Sequence, residues 1–295
     1  MVAERDDTYN FNAIKFESFY EQVDPADLAA QLSDVESYLA SFRRRFQAER
    51  LFWDDELMER LKGARVLEIG GGEGMTALAM LQAGAASVTL QEITPSTEQI
   101  APAAARLLGV DDRLEVRIGN PMELDFGEPH DIVVGHLVFH HIPTDIEVQF
   151  AQMMADNTAD DGWLRIVDPA VNWKALDDLR WILPAPGRPS KLSKNWEAWK
   201  SQDEHPERDN STPHVKSVFE QVFRDVRAEN TAGLSRLHRW VDSDKYHDQA
   251  LEWLNRLDSR LPRSIQSRIA AQHVITAERP IRRTQVPEST RDASA

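Results

Sequence analysis

The sequence predicts an α/β protein built on a mainly parallel sheet with helices on both faces. Short apolar runs and helical periodicities alternate between about residues 63 and 170, the pattern of repeated β-α units. The runs are apolar almost throughout, as strands buried on both faces are. A glycine-rich turn, "RVLEIGGGEGMT" at 65–76, follows the first of them directly. The chain has 295 residues and 41% hydrophobic content, enough for one large α/β domain with additions or for two modest domains.

Residues 1–23 carry Tyr9, Phe11, Phe16, Phe19 and Tyr20, too many aromatics for an inert tail. Asp24-Pro25 is a helix start. Leu28, Leu32, Val35, Leu39, Phe42 and Phe46 then form one apolar stripe, read as one long helix over 25–47. "WDDELMERLKG" is a short helix ending at Gly63. "RVLEIG" is the first strand, "MTALAMLQAG" a helix closed by Gly84, and "SVTLQE" the second strand. A helical segment over 94–109 has an expected kink at Pro102. "LEVRIG", "DIVVGH" and "WLRIVD" are strands, and "TDIE" at 144–147 reads as a capping box opening a helix to about Asn157. After Asp168 regularity lapses until the helical stripe Val215, Val218, Phe219, Val222 and Phe223. A strand "DVRAEN", a helix over 239–258 and a last strand "QHVITAERP" follow.

Glycines after a strand permit a tight turn and bring backbone close to a ligand, while the next helix aims its free N–H groups at the same place. The dinucleotide pattern would put Met75 where a small residue is needed for helix–strand packing. The chain offers instead Glu68 followed by Gly70, Gly72 and Gly74.

"VLEIGGGEG" resembles the first motif of the class I S-adenosylmethionine-dependent methyltransferases. "VTLQEITPS" resembles the family's second-strand ending, with Glu92 in the acid position. "IGNPMELDF" resembles the third, with Asn120 where the family usually has Asp, and "DIVVGHLVFHHIP" resembles the fourth strand and its loop. The resemblance covers about residues 60–170. It implies a Rossmann-like, seven-stranded sheet with the last strand reversed, and S-adenosyl-L-methionine as cofactor. It also implies that Glu92 holds the cofactor's ribose hydroxyls, a role that suits a carboxylate with two acceptor oxygens. Glu68, Gly70, Gly72, Gly74, Asn120 and His136 complete the expected cofactor set. Asn120 has a second reading as a turn residue before Pro121. The implied organisation is an N-terminal helical cover over 1–62, a methyltransferase domain over 63–280 with a lid-like insert at 171–213, and a disordered tail over 281–295.

His136, His140 and His141 follow the fourth strand, at the end of the sheet where open α/β proteins bind ligands. A metal site, a general base and a structural role are all open to them; no metal is expected, since no supporting carboxylate spacing is apparent. As a base, His140 or His141 would take a proton from the acceptor. Tyr20, Trp173, Trp181, Trp196 and Trp199 are candidates for lid and substrate walls, although aromatic residues at helical spacing more often pack into a core. The insert's Lys174, Arg180, Arg188, Lys191, Lys194 and Lys200 outnumber its acids, which fits a solvated helical face or the approach of an acidic substrate or membrane surface.

The expected reaction is methyl transfer to an oxygen or nitrogen of a small molecule. The alternatives are cyclisation or decarboxylation on the same fold, or a cofactor-binding regulatory subunit. A formal charge of -15, from 34 basic and 49 acidic residues, speaks against a nucleic-acid partner. Zero cysteines exclude disulfides and thiolate metal sites and fit a cytoplasmic location. "MVAERDDTYN" lacks the apolar stretch of a secretory signal, and no apolar run reaches the roughly 20 residues a membrane span requires.

Overall fold

The computed structural model describes residues 20–182, 189–200, 210–235, 237 and 244–282, and their side chains except those at 45, 180, 199, 200 and 244–248. Tyr9, Phe11, Phe16, Phe19, Arg188 and the expected disordered tail beyond 282 lie outside the described residues, as do the side chains of Arg180, Trp199 and Lys200.

Helix α1 (Pro25–Leu32) opens where expected, with Asp24 accepting the Ala26 amide at 2.8 Å. The expected long helix is broken. Helix α2 (Val35–Arg45) starts afresh at Asp34, whose carboxylate accepts the Ser37 amide at 3.0 Å. A capping carboxylate inside an apolar stripe gives the backbone a local alternative to continuing the helix. The stripe survives the break, since Leu28, Leu32 and Leu39 stay buried. Extended Phe46 makes a second break before α3 (Gln47–Phe52), and Asp54 caps α4 (Asp55–Arg60).

The sheet units follow: β1 (Arg65–Ile69), α5 (Met75–Gln82), β2 (Ser87–Glu92), α6 (Thr97–Leu108), β3 (Leu114–Ile118), β4 (His130–His136), α7 (Glu147–Asp156) and β5 (Thr158–Pro169). Helix α6 runs on through Pro102. The capping box at 144–147 does not form: α7 begins at Glu147, and its N-cap Ile146 makes no side-chain cap bond. The Glu147 carboxylate instead meets His214 at 2.8 Å, so it is not free to turn back onto the backbone at 144. The insert contains α8 (Lys174–Ile182) and α9 (Trp196–Lys200) and leads to α10 (Thr212–Phe219). Then come β6 (Phe223–Thr231), α11 (Asp244–Asp258), α12 (Arg263–Ile269) and β7 (Gln272–Pro280). Helix α12 was not apparent from the sequence; none of its residues is fully buried, so it carries no strong apolar stripe.

The seven strands lie in the order β3-β2-β1-β4-β5-β7-β6. Strands β1 to β5 are parallel, and β7 runs antiparallel to both β5 and β6. This is the Rossmann-like arrangement the sequence implies. Val66 of β1 packs into one core with α1, α5 and α6, while Leu67 and Ile69 pack into another with α7 and α10. The order reverses between β1 and β4, and a crevice opens at their carboxyl ends, the usual place for a ligand in such sheets.

The N-terminal helices are tied down at the sheet. Arg165 of β5, almost fully buried, donates to both oxygens of Asp54 at 2.8 and 2.6 Å and to the Leu51 carbonyl at 2.5 Å. Its guanidinium lies 4.7 Å from the centre of the Trp163 ring. Gln47 accepts the Thr231 hydroxyl at 2.7 Å.

Candidate active site

The turn after β1 is built by backbone conformation and by side chains of β2. Gly70, Gly72 and Gly74 all have positive φ. Gly72, at φ 57°, donates its amide to Glu92 Oε2 at 2.8 Å, and Thr97 donates to the Gly72 carbonyl at 2.8 Å. A Cβ at Gly72 would stand 2.8 Å from the Tyr20 hydroxyl. Gly74, at φ 92°, caps α5, and a Cβ there would stand 2.8 Å from Ala101 Cβ. Gln91 accepts the Gly70 amide at 3.1 Å and donates to the Gly119 carbonyl at 2.7 Å. Glu92 Oε1 also accepts the Ile93 amide at 2.7 Å.

Above this turn lies a cavity of about 570 Å³, floored by Glu68 and residues 69–72 and flanked by Gln91, Glu92 and Ile93. His136, His140 and His141 line one side, and Tyr20, Tyr38 and Phe42 come in from the N-terminal segment. The volume suits a ligand of nucleoside size. The acidic side chains on its wall are Glu68, Glu73 and Glu92, with no lysine or arginine among the lining residues.

Glu68 is fully buried, and neither oxygen accepts a well-formed hydrogen bond from a described residue. Burial pushes its carboxyl up to about 8; His136 opposes the shift, Glu73 and Glu92 add to it, and the Ala77 amide offsets it slightly. A buried carboxyl at the floor of the cavity, with no hydrogen-bonded partner among the described residues, fits the cationic end of S-adenosylmethionine. Glu92 beside the glycine turn fits the ribose diol.

His136 sits 2.8 Å from Glu49 Oε1 and edge-on to Phe52, with ring centres 5.3 Å apart. Burial alone would lower its pKa, but Glu49, Glu68 and Asp168 together outweigh burial and raise it. His140 and His141 form a single 3-10 turn, Phe139–His141, anchored by buried Phe139. Their rings lie 3.9 Å apart, and His140 Nδ1 is 2.9 Å from Asp168 Oδ1. Burial and the charges of Glu92 and Glu73 raise the Tyr20 pKa, keeping the phenol protonated.

Five of the described candidate residues, Gly74, Asn120, Trp173, Trp181 and Trp196, stand outside the cavity wall. Gly74 serves the contact of α5 with α6. Asn120 is outside the cavity wall, accepting the Met122 amide at 3.0 Å and donating to Glu123 at 2.8 Å, which is its turn reading; Pro121 next to it does line the cavity. Trp173 is exposed. Trp181 donates to Asp177 at 3.0 Å and packs edge-on against Trp196. Among the described residues no group of three His, Asp or Glu is arranged to hold a metal ion, and no helix is long and apolar enough to cross a membrane.

Sequence reasoning passed over Tyr38, Phe42, Glu49, Gln91, Thr97 and Asp168. Gln91 and Asp168 are polar residues at or near the carboxyl ends of predicted strands, a signal that was available. Glu49 was not legible, because its partner is 87 residues away.

A family model described as a methyltransferase domain matches residues 37–221. That is more than half of the chain, and the chain belongs to the methyltransferase-domain family. It is 31% identical over 114 residues to an uncharacterized methyltransferase of Staphylococcus carnosus, covering 39% of this chain and 51% of that protein. It is 38% identical over 82 residues to the ribosomal protein L11 methyltransferase of Deinococcus radiodurans, covering 26% of this chain and 30% of that one. The chain thus matches about half the length of one curated relative and less of the other. Among solved structures, a geranyl diphosphate methyltransferase in complex with GPP and sinefungin superposes with a TM-score of 0.51 at 16% identity, over 79% of this chain and 77% of that one. At that identity the likeness shows the fold alone.

Proposed function

We propose that the chain is an S-adenosylmethionine-dependent methyltransferase acting on an oxygen or nitrogen of a small molecule. The observation that carries this reading is the cavity at the β1–β4 reversal, where Glu68, the glycine turn and Glu92 face three histidines across about 570 Å³. The bound cofactor would supply a methyl group activated by a positive sulfur. Glu92 would hold its ribose side, and Glu68 its ammonium group. The chain's remaining task is to orient the acceptor and exclude water. Tyr20, Tyr38 and Phe42 close the cavity from the N-terminal side. His140 or His141 would receive the acceptor's proton.

The carboxylate-rich wall adds a condition on the acceptor. An anionic acceptor would meet Glu73 and Glu92 and no lysine or arginine on that wall, whereas a neutral or cationic acceptor meets no such repulsion. The test is a turnover screen with methyl-labelled S-adenosylmethionine against matched alcohols, phenols, amines and carboxylates. Label transfer to hydroxyl or amine members supports the reading. Transfer confined to carboxylates, or no transfer to any member, counts against it.

A further inference from the structure

Asp168 lies at the carboxyl end of β5, outside the motifs that mark the cavity. It is fully buried, and its Oδ1 is 2.9 Å from His140 Nδ1. His140 is itself nearly buried, with 11% of its side chain exposed, and it lines the cavity. Its turn is anchored: the Phe139 ring packs against Phe150 and Phe219, and the Ile142 amide bonds back to the Phe139 carbonyl at 3.1 Å.

The surroundings of Asp168 leave His140 as its hydrogen-bonded partner. Its Oδ2 is buried and accepts no hydrogen bond from a described residue. Across the sheet it pairs in register with His273, a fully buried imidazole whose Nδ1 lies 3.2 Å from the Thr212 hydroxyl. Burial holds His273 down at about 4 despite the pull of Asp168, so it stays neutral near pH 7 and supplies no countercharge. His136, the other imidazole within the field of Asp168, is hydrogen-bonded to Glu49. Glu68 is the further acid near His136.

A carboxylate only accepts hydrogen bonds, so the imidazole nitrogen facing it must carry the proton. That leaves the other ring nitrogen with its lone pair. We infer that Asp168 is a positioning residue that fixes His140 in the Nδ1–H tautomer, so that His140 Nε2 takes the proton from a hydroxyl or amine acceptor. The last step rests on the methyl-transfer reading; the tautomer does not. In that step the acceptor's O–H or N–H bond breaks, its proton joins Nε2, and the electron pair stays on the acceptor atom. The imidazolium so formed lies against the Asp168 carboxylate, which stabilises it.

The test is ring-nitrogen NMR of the 15N-histidine-labelled protein without cofactor, with His140 assigned by its loss in His140→Gln. The expected wild-type spectrum has a proton-bearing Nδ1 and a bare Nε2 at His140. Asp168→Asn can donate from its amide to Nδ1, so it should move the His140 proton to Nε2 or give a mixture of tautomers there. An Nε2–H tautomer at His140 in the wild type overturns the inference without needing any variant. So does an unchanged tautomer in Asp168→Asn whose thermal unfolding shows it folded. Because no cofactor is present, this outcome is separate from any failure to bind S-adenosylmethionine, which would sink the functional reading and leave the tautomer standing.

Discussion

Glu68 should couple cofactor binding to pH. With its carboxyl at about 8 in the free protein, about nine in ten molecules carry the proton at pH 7. An ammonium group arriving at this buried site favours the ionised carboxylate, so binding should release about 0.9 proton per cofactor at pH 7. Affinity should then rise about ninefold from pH 6 to pH 7. Isothermal titration in buffers of different ionisation enthalpy reads the proton count directly. Glu68→Gln keeps the shape and cannot ionise, so both the release and the pH slope should vanish. Wild-type binding with no proton release, or the same release from Glu68→Gln, would refute the coupling. The apo protein gives an independent check. A carboxyl whose folded pKa is raised makes the native state hold more protons than the unfolded state, so stability falls as pH rises from about 4.5 through about 8. Glu68→Gln should flatten that decline in denaturant titrations.

Asp54→Ala strips Arg165 of its carboxylate partner and should cost about 2 kcal/mol in urea unfolding, below the range for a fully buried pair because 33% of the Asp54 side chain is exposed; an unchanged midpoint would mean the pair does not hold the N-terminal helices. The His136 pKa is raised in the fold, so its pairing with Glu49 stabilises fully below about pH 6.5 and is lost as pH rises through the folded value. Glu49→Gln in a Glu68→Gln background should remove that dependence, and identical pH profiles with and without the change would dismiss it. Gly74→Ala must accept φ 92° and a contact of 2.8 Å with Ala101, so melting should reveal a loss of about 1–3 kcal/mol, and an unaltered melting temperature would show that the turn has room to shift.

The inner strands were legible because parallel strands buried on both faces are mostly apolar, as "RVLEIG" and "DIVVGH" are. The helix breaks were less legible. Asp34 sits in an unbroken apolar stripe, and only the competition between its side chain and the next helical turn reveals it as a cap. The same competition went the other way at Thr144–Glu147, where His214, distant in sequence, captured the glutamate.

At the site, the glycine turn and Glu92 could be read from local pattern. The reason for the glycines was only half visible. Gly70 leaves space for Val138, and Gly74 for Ala101, so the protein's own packing requires bare backbone as much as any ligand does. The two pairs that set the histidines, Glu49 with His136 and Asp168 with His140, join residues 87 and 28 positions apart. No periodicity within one element links such residues. Among the tryptophans of the insert, Trp181 and Trp196 pack edge-on against each other.

The most direct measurement is isothermal titration of the wild-type chain with S-adenosylmethionine and with S-adenosylhomocysteine, repeated on Glu92→Ala. Glu92 also accepts the Gly72 and Ile93 amides, so each titration is paired with a thermal melt to establish that the variant is folded. Micromolar binding of one cofactor per chain to the wild type, lost in folded Glu92→Ala, is the predicted result. A well-folded wild type that binds neither ligand would contradict the assignment of this cavity to the cofactor.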